Sequence, residues 1–130
     1  MVTTNGLAEI VLMVGDVDAS RRFYQETLGL KVISPDLGGP VFLQVGDNAG
    51  VPQQIVLIPR PAELPAFGDR ISRSFHHLGL TVPAGTLAEA RQALEAQGFE
   101  VRTGEHPFLP VEAIYIDDPD GNEVELVAAR

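Results

Sequence analysis

Residues 7–14 read LAEIVLMV, and residues 75–82 read FHHLGLTV. Both are short apolar runs rich in branched side chains, the composition of a buried strand. A helical pattern follows each. The first opens at Asp16, a good N-cap, and runs through Phe23, Tyr24 and Leu28 to Gly29. The second opens with the capping box Thr86-Leu87-Ala88-Glu89 and runs through Ala90 and Leu94 to Gly98. Each glycine suits a left-handed helix C-cap. The strand-type triplets Leu30-Lys31-Val32 and Phe99-Glu100-Val101 come directly afterwards. Further strands are predicted at Val41–Val45 and Ile55–Ile58 in the first half, and at Val111–Ile116 and Glu123–Val127 in the second. Asp118-Pro119-Asp120-Gly121-Asn122 supplies hairpin turn chemistry between the last two.

The spacing makes this an internal repeat. Gly98 minus Gly29 is 69, Leu126 minus Leu57 is 69, and Val82 minus Val14 is 68. The order strand-helix-strand-strand-strand thus occurs twice. The expectation is an α+β fold of two βαβββ modules in one domain over residues 1–130. Module one covers about 7–58, a linker with Pro61 and Pro65 covers 59–74, and module two covers about 75–128.

Composition narrows the function. With 45% hydrophobic residues in 130, a core can form without staples, and the absence of cysteine removes disulfides, thiolate catalysis and iron–sulfur clusters. The polar segment Met1 to Gly6 lacks signal-peptide design, and no apolar run approaches the roughly 20 residues of a membrane span. A cytoplasmic protein with no membrane partner is expected. The net charge of -9, from 18 acidic and 9 basic residues, argues against nucleic acid as a partner. Gly38-Gly39-Pro40 lacks the following helix of a phosphate loop and reads as a turn. Asp117–Gly121 fails as a calcium loop, because Ile116 stands five before Gly121 and no glutamate follows six after it. Ser72 and Ser74 lie near histidines in sequence alone, which gives a hydrolytic triad no support.

Overlaying the halves aligns Glu9 with His77 and Val56 with Glu125. Three of these four positions can bind a metal or move a proton. Glu9 interrupts a nearly apolar strand, and Glu125 sits between Val124 and Leu126. Two buried carboxylates placed together would repel unless a cation or shared proton lay between them. A divalent ion held by Glu9, His77 and Glu125 resolves the conflict and leaves positions for substrate. The plainer reading stands beside it: both glutamates occupy a wet sheet face, paired with Arg60, Arg73 or Arg102, and His77 is an ordinary polar strand residue. His76 should face away from His77 by strand alternation, and His106, beside Pro107, reads as a surface residue.

Val17-Asp18-Ala19-Ser20 leading to Phe23-Tyr24, then Leu28-Gly29-Leu30-Lys31-Val32, and Asp118-Pro119-Asp120-Gly121-Asn122 running into Val124-Glu125-Leu126 resemble the vicinal oxygen chelate superfamily. That group contains glyoxalase I, extradiol dioxygenases, methylmalonyl-CoA epimerase and the fosfomycin and bleomycin resistance proteins. The resemblance covers nearly the whole chain. It implies curved mixed sheets around a shared cleft and metal ligands from the first and last strand of the modules. By position, Glu9 stands where many members have histidine, His77 and Glu125 match second-module ligands, and Val56 replaces a carboxylate of glyoxalase I. One histidine with two glutamates favours manganese, zinc or magnesium, and weakens the case for iron.

Two functions follow as expectations. The first is a glyoxalase- or dioxygenase-like metalloenzyme of lyase, isomerase or dioxygenase type. Its metal acts as Lewis acid on a small oxygen-bearing substrate, with Glu9 or Glu125 as base and Tyr115 as candidate proton donor. The alternative is a metal-free protein that binds a cationic, bleomycin-type antibiotic and confers resistance. The resemblance also implies a homodimer, with pocket specificity from residues such as Phe42, Gln44, Phe108 and Tyr115.

Overall fold

A computed structural model describes residues 1, 6–36, 38–48, 50–62 and 75–130. The chain divides into two compact units, Met1–Ala66 and Phe67–Arg130. Pro65, Ser72, Arg73 and Ser74, all invoked from the sequence, lie outside the described residues.

The first unit contains β1 (Glu9–Val14), α1 (Val17–Arg22), a π-helical turn (Phe23–Thr27), β2 (Lys31–Val32), β3 (Val41–Asn48) and β4 (Val51–Pro59). Its sheet has the order β1-β4-β3-β2, with β1 parallel to β4 and the other pairs antiparallel. Asp16 caps α1 as expected, its carboxylate accepting from Ala19 N at 3.0 Å. Beyond Arg22 the helix widens, and Leu28 N–H donates to Phe23 O at 3.1 Å, five residues back. Gly29 then turns the chain at φ 75°. Phe23 and Tyr24 are buried, their rings edge-to-face at 5.0 Å, and the core also includes Leu12, Val14, Leu43, Ile55 and Leu57.

The second unit contains β5 (His77–Thr81), α2 (Leu87–Ala96), β6 (Arg102–Glu105), β7 (Val111–Asp117) and β8 (Glu123–Ala129). Its order, β5-β8-β7-β6, with β5 parallel to β8 and the rest antiparallel, repeats the first unit strand for strand. The doubled βαβββ order is therefore present. The core is built by Leu78, Leu87, Leu94, Ile114, Ile116, Val124, Leu126 and Ala128. Period-two alternation leaves Glu123, Glu125 and Val127 on the other face of β8.

Three local expectations are corrected. The capping box does not form: Thr86 Oγ1 donates to Pro83 O at 2.7 Å and makes no cap to the helix. Phe99-Glu100-Val101 is not a strand. Phe99 N–H donates to Leu94 O at 3.1 Å to close the end of α2, with Gly98 at φ 92°, so β6 begins only at Arg102. The run at 75–82 is shorter than its apolar pattern suggests, with pairing from His77 to Thr81.

The β7–β8 turn matches its sequence chemistry. Buried Asp118 accepts from Asp120 N at 2.9 Å, Asn122 N at 2.8 Å and Asn122 Nδ2 at 3.0 Å. Gly121 takes φ 76°.

Candidate functional site

The open face of the second sheet collects the polar side chains of four strands. On β5, His77 and Gly79 stand opposite Glu123 and Glu125 of β8. Glu125 stands opposite Tyr115 of β7, and Tyr115 stands opposite Arg102 of β6. His77, Glu125 and Tyr115, three of the four predicted site residues, thus meet on one face. The fourth, Glu9, belongs to the first unit. It pairs there with Gln54, the register position that Glu123 occupies beside His77, and Val11 pairs with Val56 as Gly79 pairs with Glu125. The equivalence of Glu9 with His77 and of Val56 with Glu125, inferred from spacing, is reproduced by the registers.

The premise that Glu9 is buried is overturned. Glu9 is exposed, as are Val11 and Met13 on the same side of β1, while Leu12 and Val14 are buried. The apolar run conceals an ordinary alternation, so burial creates no need for a cation at Glu9. Glu125 differs, with its side chain 15% exposed.

His77 Nε2 and Glu125 Oε2 are 3.5 Å apart, beyond a good hydrogen bond. Two ligand atoms each ~2.1 Å from a shared ion at the tetrahedral angle stand about 3.4 Å apart, so the separation of this pair is compatible with a shared divalent ion. Glu125 Oε1 accepts the Tyr115 hydroxyl at 2.8 Å, which turns Oε2 toward His77. A neutral imidazole and a carboxylate form a donor set suited to zinc or manganese.

Tyr115 also lies edge-on to His77, with ring centroids 6.2 Å apart. Burial, followed by the hydrogen bond and the negative charge of Glu125, pushes its phenol up to about 12. Two glycines make room for this arrangement. A Cβ on Gly104 would lie 2.7 Å from Tyr115 Cε2, and one on Gly79 would lie 3.0 Å from Glu125 Oε2. Neither glycine was singled out by the sequence reading, although both stand opposite or diagonal to site residues once the hairpin register is drawn.

The plainer reading gave Arg102 to Glu9 or Glu125. Instead Arg102 Nη2 bridges Asp117 Oδ1 at 2.6 Å and Glu123 Oε2 at 3.1 Å. His76 is a further correction. It precedes the first paired residue of β5, so alternation does not govern it, and its Nδ1 lies 2.8 Å from His77 Nδ1. His76, His77 and Glu123 therefore offer ligand atoms within 4.8 Å of one another. His106, expected as a surface residue, is half-buried and holds its own loop, with Nδ1 accepting from Phe108 N and Leu109 N. Cavities of about 500 Å³ beside α2 and 630 Å³ beside α1 are lined by neither His77 nor Glu125. Among the described residues, no helix is long and apolar enough to cross a membrane.

A doubled βαβββ order with a histidine and a glutamate on the first and last strand of one unit defines a class. The model of the Glyoxalase/Bleomycin resistance protein/Dioxygenase superfamily matches residues 6–126, and the chain belongs to that superfamily. Similar solved structures share the fold. A glyoxalase family protein from Bacillus anthracis is 24% identical, with 100% of this chain and 99% of that one covered and a TM-score of 0.69. The fosfomycin resistance protein FosX from Listeria monocytogenes is 21% identical, with 98% and 96% covered and a TM-score of 0.70. Lactoylglutathione lyase from Agrobacterium tumefaciens is 22% identical, with 97% and 95% covered and a TM-score of 0.67. No curated protein matches the chain by sequence.

Proposed function

We propose that the protein is a metal-dependent enzyme of lyase, isomerase or dioxygenase type, acting on a small substrate with neighbouring oxygens. The observation that carries this reading is the 3.5 Å separation of His77 Nε2 and Glu125 Oε2, with Tyr115 holding the other carboxylate oxygen. His77 and Glu125 are two of the ligands. Glu9, expected from the sequence as the third, stands in the first unit at the position equivalent to His77 in the repeat. When bound, the ion supplies Lewis acidity toward the substrate oxygens. Tyr115 keeps its proton at neutral pH and orients Glu125 with it. With the ion bound, Glu125 would stand beside the substrate oxygens as a carboxylate able to accept a substrate proton. Manganese, zinc or magnesium suits this donor set better than iron. The protein acts as a cytoplasmic homodimer in this reading.

Protein purified without chelator is expected to carry about one divalent ion per chain by elemental analysis, as a site of this donor type predicts. Metal-free protein that also ignores added manganese, zinc and ferrous iron would overturn the reading.

One observation favours a second reading. Asp117, Glu123 and Glu125 share a face with the single cation Arg102 among the described residues, and the chain carries a net charge of -9. Such a surface suits capture of a cationic antibiotic without a metal. Tight binding of a bleomycin-type glycopeptide by metal-free protein, at unchanged metal content and weakened in Glu125→Gln, would favour this reading.

A further inference from the structure

We propose that His76 is a positioning residue that fixes the tautomer of His77 and so sets the nitrogen with which His77 meets a metal ion. The inference rests on the metal site proposed above. It starts from the two faces of one imidazole. His77 Nε2 points to Glu125 Oε2 at 3.5 Å, while its Nδ1 faces His76 Nδ1 at 2.8 Å. A nitrogen that coordinates a metal must carry a lone pair. The other ring nitrogen then carries the proton and needs an acceptor. With Nε2 committed to the ion, His77 Nδ1–H is the donor and His76 Nδ1 the acceptor. His76 is assigned the tautomer protonated at Nε2.

Coordination of one ion by both histidines fits less well. Their Nδ1 atoms are at hydrogen-bond distance, closer than the about 3.0 Å or more that separates two ligand atoms of a shared ion. The remaining candidate ligand of that cluster, Glu123, is engaged by Arg102 at 3.1 Å. His76 also reaches this position for a local reason. It lies just before β5 pairing begins, so its side chain is free of strand alternation and its ring packs edge-on against His77 at 5.0 Å. Glu125 has a matching partner in Tyr115. Each of the two ligands is thus held from behind by one neighbouring side chain.

Nitrogen-resolved NMR of the imidazoles in metal-free protein reads the tautomer directly, and zinc titration by calorimetry reads the consequence. Wild-type His77 is expected to be protonated at Nδ1. In His76→Ala that preference is lost and zinc binds about tenfold more weakly. In His76→Asn, whose carboxamide oxygen can accept the same proton, both are restored. A His77 protonated at Nε2 in the wild type overturns the proposal. So does zinc affinity unchanged in His76→Ala, or a loss far beyond a hundredfold with the His77 tautomer unchanged, which would make His76 a ligand. Wild-type protein that binds no divalent ion overturns the site itself, and is distinguished from those outcomes by the titration of the unaltered chain.

Discussion

Tyr115 donates its hydroxyl to Glu125 Oε1 across 2.8 Å from the position directly opposite on the neighbouring strand. This contact joins the fold to the site. It spends one oxygen of the carboxylate and aims the other at His77.

The contact gives the protein an alkaline limit. The phenol of an unfolded chain ionises near about 10, whereas Tyr115 in the folded protein is pushed up to about 12. The native state therefore holds this proton where the unfolded state has lost it. Its stabilisation is complete below the unfolded value and disappears as pH rises through the folded one. The urea midpoint should fall between those two pH values, and fall less in Tyr115→Phe. Equal slopes in the two proteins would show that the shift is absent.

Gly104→Ala should cost about 1–3 kcal/mol in urea unfolding, the range for overpacking. The new methyl would stand 2.7 Å from Tyr115 Cε2, an atom of a rigid ring. The ring must move, and its hydroxyl moves off Glu125. A raised phenol titration that survives in this variant would contradict the account.

Gly79→Ala should behave differently. Its methyl meets Glu125 Oε2 at 3.0 Å, the far end of a side chain that can rotate. Unfolding should change by less than about 1 kcal/mol, while zinc affinity measured by calorimetry drops. The reverse pattern would remove Oε2 from the metal position.

Asp118→Ala removes an acceptor of three hydrogen bonds inside the β7–β8 turn. A loss of about 2–4 kcal/mol is expected, since the turn amides lose a charged partner. Asp118→Asn should recover part of it. Urea titration of the three proteins decides the matter.

The repeat was legible because it is written in two independent alphabets, apolar strand runs and glycine helix ends, both spaced by 68 or 69. The ends of elements were less so. Phe99-Glu100-Val101 carries a strand pattern, yet Phe99 closes the preceding helix, and a local hydrogen bond outranks a two-fold alternation. The burial of Glu9 was misjudged for another reason. Val11 and Met13 are apolar but exposed, and sequence does not say which face of a strand is covered. Tyr115 beside Glu125 is the converse. The turn at Asp118–Asn122 dictates that pairing once Asp117 is set opposite Glu123. His76 escaped because its position depends on where β5 begins pairing.

The hairpin register has a kinetic consequence as well. Tyr115 and Glu125 are ten residues apart, so their contact closes a short loop around a turn that is strong by itself. His77 joins β8 by parallel pairing with Glu123, a separation of 46 residues (123 minus 77). Closing that span costs more chain entropy and comes later in folding. The carboxylate arm of the site should therefore assemble before the imidazole arm.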